Sequence, residues 1–173
     1  PAERRLGLED CKLHQDFLDS LTRLFTLAGL RSEFGSVKEF IRQTDAVRAD
    51  EIRLILAQQR ANPRQHGICF CQLADASGEI FGATDIWRRP KEVFRQMASA
   101  ATTPLIVPEV LPRLSTPGQR LSMRATLVNG SRRDARYRWR CSIVADSGEE
   151  NRIAAGEARA ADSVQVVWKG TVP

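Results

Sequence analysis

The strongest constraint on the fold is a change of pattern near residue 104 of this 173-residue chain. Before that point, apolar residues recur with the spacing of helices, and after it they alternate with polar residues, as in strands with one buried face. Prolines at positions 104, 108, 112 and 117 mark the change and indicate a connector. The pattern predicts two parts of different secondary structure, which we place at residues 1–106 and 107–173.

The first part is predicted to contain three helices separated by two short strands. Helical stripes of apolar residues run through residues 10–27, 37–61 and 91–101. Short apolar runs at 27–32 and 68–73 separate these stripes, and such runs are typical of buried parallel strands. The order helix–strand–helix–strand–helix therefore favours an α/β architecture with a parallel sheet.

The second part is predicted to be an antiparallel β-structure. About four alternating runs are visible, and the turn signals Asn129-Gly130, Ser147-Gly148 and Asp162-Ser163 separate them. This arrangement is typical of an immunoglobulin-like β-sandwich, which usually has seven or more strands. We therefore expect a partial β-sandwich in this part of the chain.

Composition and charge argue against two classes of partner. The net charge is +5, but basic residues are scattered and aromatic residues make up only 6% of the chain, whereas nucleic-acid proteins concentrate charge and interleave stacking aromatics. No apolar run approaches the roughly 20 residues that span a membrane, and no basic-then-apolar leader is visible at the start. We expect neither nucleic acid nor membrane as a partner, and a cytoplasmic, periplasmic or secreted location stays open.

The cysteines predict neither a disulfide nor a metal site. They occur at Cys11, Cys69, Cys71 and Cys141. Cys69 and Cys71 flank Phe70 in an apolar run, so both thiols point to one face of a strand, where neighbours form a poor disulfide pair. His14 and His66 lack the spacing of a zinc site. We therefore expect buried thiols and no metal or cofactor.

A lone carboxylate stands out in the first part. Ser32-Glu33-Phe34-Gly35 follows the first predicted strand and precedes the second helix. Folds built from β/α units place their catalytic side chains at the C-terminal ends of strands. This position predicts Glu33 as a catalytic residue, and the alternative interpretation is a solvated loop carboxylate.

A longer motif lies downstream of Glu33. Gly67–Asp75 is followed by Gly78–Gly82 and then by Arg88-Arg89-Pro90-Lys91. In this order and after Ser32–Gly35, these stretches resemble the end of the catalytic barrel in family 2 glycoside hydrolases, the family of β-galactosidases, β-glucuronidases and β-mannosidases. In that family the last barrel strand carries a Gln-Leu-x-Asp loop, and Pro-Lys opens the final helix. The proline-rich passage into a β-structure also resembles the family's domain order.

The resemblance implies a fold and an activity. The fold would be the last two β/α units of a (β/α)8 TIM barrel, followed by a partial immunoglobulin-like β-sandwich. The activity would be retaining hydrolysis of a β-linked sugar without a cofactor, with Glu33 as the nucleophile. The family's acid/base glutamate follows an asparagine, and no Asn-Glu pair occurs here. Since a whole barrel takes about 250 residues, we expect a fragment of a larger enzyme that is inactive alone.

Two further expectations concern the ligand and the partners. The resemblance implies that Gln72 and Asp75 bind hydroxyl groups of the sugar. The alternative is structural, with Asp75 starting a turn and Gln72 satisfying the loop backbone. The rival function is a non-catalytic module that binds carbohydrate or protein. We also expect self-association, because a partial barrel exposes unpaired strand edges.

Overall fold

The computed structural model describes residues 8–76 and 78–172, and these residues fall into two compact units. The helix unit comprises the chain up to Leu56 together with Ile68–Ala100. The strand unit comprises Ala57–Gly67 together with the chain from Ala101 onward. The described residues form a mixed α/β structure of four helices and five strands.

The three long helices lie where the apolar stripes predict them. The helices are α1 Leu8–Leu27, α2 Arg31–Phe34, α3 Val37–Arg60 and α4 Glu92–Ala101. The predicted bounds of α1, α3 and α4 differ from these by two residues at most. None of the helices in the two described ranges has the length and apolarity needed to cross a membrane.

The start of α3 is set by local hydrogen bonds. The Ser36 hydroxyl accepts the backbone N–H of Glu39 at 3.2 Å, as an N-cap residue does. Hydrogen bonds from Arg42 and Gln43 to the Glu39 carboxylate lower its pKa to about 2. Because these groups are exposed to solvent, their ion pair contributes little to stability, and the cap alone accounts for where the helix begins.

The first predicted strand, residues 27–32, is wrong. These residues form a turn after α1 and the start of the short helix α2. Gly29 and Gly35 have φ angles of 68° and 69°, positive values that glycine adopts readily because it lacks a Cβ. The Leu30 N–H donates to the carbonyl of Phe25 at 3.2 Å, which closes the end of α1. Two helix ends therefore replace the strand.

The predicted partial TIM barrel is also wrong. Residues 68–73 are irregular, with bends at Cys71 and Leu73, and belong to no sheet; nearby pairing consists of isolated bridges. One of those bridges, between Ala74 and Thr84, is parallel, whereas every pair of named strands in the described chain is antiparallel. A barrel requires neighbouring parallel strands. An apolar run alone did not distinguish a buried strand from an irregular segment that packs on helices through Phe70.

The helix unit has a small core and a large exposed apolar surface. Its fully buried residues Ala49, Ala83 and Val93 pack against Ile52, Phe70 and Met97. Large apolar side chains stay exposed on its two long helices, among them Phe17, Leu24, Leu27, Val47 and Ile55. Any self-association of this unit therefore has helix faces available to it, not the barrel edges that we expected.

The strands form two antiparallel sheets. Their bounds are β1 Leu105–Leu111, β2 Leu121–Asn129, β3 Ala135–Val144, β4 Glu150–Ala160 and β5 Ser163–Val172. One sheet has the order β1-β2-β5 and the other consists of β3 and β4. The alternating pattern predicted β2, β3 and β5. It missed β1, which lies inside the predicted connector, because an edge strand tolerates a proline such as Pro108.

A buried asparagine links the two sheets. Asn129 ends β2, and the residue is 1% exposed. Its Nδ2 donates to the carbonyl of Ala160 in β4 at 2.9 Å, and its Oδ1 accepts the N–H of Ser131 at 3.0 Å. Below it, Ala57, Val107 and Val128 form the buried core of the strand unit. A buried polar group with its partners in place holds the ends of β2 and β4 together.

Candidate functional site

The structure places Glu33 on a surface helix. It lies in the four-residue helix α2 and is exposed, so the predicted position at a strand end is wrong. Within the described residues its carboxylate makes no hydrogen bond and no ion pair. A nucleophilic carboxylate needs neighbours that orient it toward the sugar. The described part of the chain supplies no such neighbour, and the nucleophile role of Glu33 stays a prediction.

Asp75 lies in a nearly buried ion pair with Lys91. The Asp75 side chain is 9% exposed, and Lys91 Nζ lies 2.8 Å from its Oδ1 and 2.7 Å from its Oδ2. Oδ1 also accepts the N–H of Gly82 at 2.8 Å. Lys91 Nζ donates in addition to the carbonyl of Ile80 at 2.9 Å. Because both oxygens are engaged and little surface is open, these contacts fasten the loop to Gly82 and Lys91, which differs from the turn-starting role that the structural alternative gave to Asp75.

Gln72 belongs to the same loop. Its side-chain Nε2 donates to the backbone carbonyl of Glu79 at 3.3 Å. The backbone carbonyl of Gln72 accepts the N–H of Ala83 at 3.2 Å. The side chain therefore satisfies loop backbone, as the alternative for this residue states. Gln72 and Asp75 therefore lie in the same loop. Glu33 takes part in none of the hydrogen bonds that the described residues of this loop make.

A cleft in the strand unit has the character of a ligand site. It has a volume of about 380 Å³ and lies between one face of the β1-β2-β5 sheet and residues 58–63. We call it the sheet cleft. Its aliphatic lining is formed by Ala61, Pro63, Val107, Val164 and Val166. Its polar lining is formed by Gln58, Asn62, Glu109, Arg124 and Thr126. Small-molecule sites have volumes of roughly 300–1,000 Å³ and combine an apolar surface with a few polar groups.

Strand register places a charged pair in the sheet cleft. β1 and β2 pair so that Glu109 lies opposite Arg124, and opposed residues of an antiparallel pair share one face. The two side chains form an ion pair while staying 35% and 46% exposed. A guanidinium has five N–H donors and a carboxylate about four acceptor positions, so both groups keep capacity for a ligand.

Neither charged residue of the sheet cleft stands out in the sequence. Arg124 stands between Met123 and Ala125 in an alternating run, so its assignment to the polar face was available from the pattern. Glu109 was hidden because its strand reads as a connector. The pairing of the two residues depends on strand register, for which the chain carries no local signal.

Three comparisons with known proteins bear on the identity of the chain. No protein-family model, no curated protein and no solved structure matches it. Evidence for a function therefore lies in the residues and contacts of the chain itself.

Proposed function

We propose that the chain is a non-catalytic module that binds a carbohydrate in the sheet cleft. The observation that carries the proposal is the Glu109–Arg124 ion pair, which lies beside an aliphatic surface in an open cleft of about 380 Å³. A sugar ring presents hydroxyl groups next to apolar C–H faces. A site for it therefore needs donors and acceptors at fixed positions beside an apolar surface, and Gln58 and Asn62 add two amides to the charged pair.

The composition of the sheet cleft favours binding over hydrolysis. Retaining glycosidases place two carboxyl groups about 5–5.5 Å apart. Glu109 is the single acidic residue among those that line the sheet cleft, and its carboxylate is paired with Arg124. This lining supplies neither a free nucleophile nor a separate acid/base group.

Replacing Arg124 by alanine should weaken carbohydrate binding by about 10- to 100-fold, because hydrogen bonds to charged groups are worth about 1.5–3 kcal/mol. The measurement is a titration with methyl β-glycosides followed through the backbone amide signals of β1, β2 and β5. In the wild-type chain these signals should shift together and saturate.

The matched control is Arg136→Ala. Arg136 pairs with Glu157 at 3.5 Å on the other sheet and is 75% exposed. This variant should bind as the wild-type chain does. An equal loss in both variants would show a general charge effect, and the absence of any saturable shift in the wild-type chain would refute the proposal.

A second candidate function follows from the resemblance to family 2 glycoside hydrolases. In this candidate the chain is part of a retaining β-glycosidase and Glu33 is the nucleophile. It is supported by the Asp75–Lys91 ion pair, which joins the Gln-Leu-x-Asp and Pro-Lys stretches across 16 residues. Two of the stretches that carry the resemblance are thus joined by a direct contact.

The test of this candidate uses the full reading frame that encodes the chain. Glu33→Gln should lower hydrolysis of nitrophenyl β-glycosides on the order of 10³-fold or more, because no covalent intermediate can then form. Glu79→Gln, at another exposed carboxylate of the helix unit, should leave hydrolysis unchanged. The 173-residue chain alone should release no nitrophenol. Undiminished activity of the Glu33→Gln enzyme would remove this residue from the mechanism.

A further inference from the structure

Two exposed thiols lie two residues apart in the sequence of the helix unit. Cys69 and Cys71 are both exposed free thiols, whereas Phe70 between them is half-buried and packs against the core residues Ala49, Ala83 and Val93. The expectation of buried thiols is wrong because Phe70 takes the position in the core. Because Phe70 packs inward and the cysteines on either side of it are exposed, both thiols are open to solvent in the same short segment.

We propose that Cys69 and Cys71 form a binding site for a soft monovalent metal ion, Cu(I), held between their two thiolates. Thiolate ligands select Cu(I) over harder ions, and Cu(I) is stable with two sulfur ligands. Zinc instead takes four ligands in structural sites. Among the residues of 8–76 and 78–172, no group of three or more His, Cys, Asp or Glu side chains could hold a metal ion. A pair of thiolates therefore fits an ion of low coordination number.

Phe70 is anchored in the core, so the segment that carries both thiols is held at its centre. Neither thiol has to leave a packed environment to reach a metal ion, since both are already exposed. The other two cysteines, Cys11 and Cys141, are half-buried and far apart in the sequence. The site is independent of the sheet cleft and of any carbohydrate.

The first test offers Cu(I) to the reduced, oxygen-free chain in competition with a chromogenic Cu(I) chelator. We expect one ion per chain. Cys69→Ser and Cys71→Ser should each weaken retention by about 100-fold or more, because the second thiolate binds at high effective concentration once the first is engaged. The double variant Cys11→Ser/Cys141→Ser should retain the ion. Equal retention by all variants, or loss in the double variant alone, would overturn the proposal.

A second test needs no substitution and so does not depend on the folding of variants. Alkylation of the wild-type chain by iodoacetamide, mapped by mass spectrometry, should fall at Cys69 and Cys71 when one equivalent of Cu(I) is present. Zn²⁺ at the same concentration should leave alkylation unchanged. Protection of Cys11 or Cys141 instead, or elution of the metal with a dimer bridged by one thiol from each chain, would contradict a site within one chain.

Discussion

Replacing Asp75 by alanine should lower the free energy of unfolding of the helix unit by about 3 kcal/mol or more. The substitution leaves the positive charge of Lys91 unpaired, because Lys91 Nζ loses the carboxylate that lies 2.7 Å away. The Lys91 side chain is only 21% exposed, so water replaces little of that interaction. The N–H of Gly82 loses its acceptor in the same change. Urea denaturation monitored by hydrogen exchange of α4 amides measures the effect.

The control for Asp75 is a surface ion pair in the same unit. Glu92→Ala removes a pair with Arg95 at 3.1 Å, in which the side chains are 40% and 66% exposed, and should cost less than about 1 kcal/mol. The double variant Asp75→Ala/Lys91→Met should be more stable than Asp75→Ala, since no charge is then left unpaired. Equal midpoints for Asp75→Ala and Glu92→Ala would show that the buried pair does not hold this loop.

Replacing Gly82 by alanine should be about as damaging, with a loss of about 3 kcal/mol or more, because the added methyl group has no space. A Cβ at this position would lie 2.4 Å from the backbone N of Asp75, 2.5 Å from the carbonyl carbon of Ala74 and 2.7 Å from the backbone O of Thr84. All three atoms are backbone, so no side-chain rotation relieves the clash. The backbone of residues 74–75 would therefore have to move away from residues 82–84 to admit the methyl group.

The matched change for Gly82 is Gly78→Ala in the same loop. A Cβ at Gly78 meets nothing within 4 Å, so this variant should stay within about 0.5 kcal/mol of the wild-type chain. The midpoint of urea denaturation compares the two. If Gly82→Ala were as stable as Gly78→Ala, the close approach of residues 74–75 to 82–84 would be wrong.

For the candidate sites, the sequence indicated the residue types but not their neighbours. The sequence singles out Gln72 and Asp75 as sugar-binding residues, a role that stays a prediction, and the contacts that they make with the Glu79 backbone and with Lys91 form only on folding. Glu109 and Arg124 meet because β1 and β2 pair in one register. Register is set by the packing of whole strands, so neither residue reveals its partner locally.

By itself, the sequence determined the long helices, three of the five strands and the end of β2 at Asn129. These features depend on periodicity and chain-breaking residues, which act over a few neighbours. Only the tertiary structure decided that residues 27–32 turn instead of pairing, that Cys69 and Cys71 face solvent, and that Glu109 lies opposite Arg124. An apolar run shows that burial of the segment is favourable. What buries it is decided by contacts between residues distant in the chain.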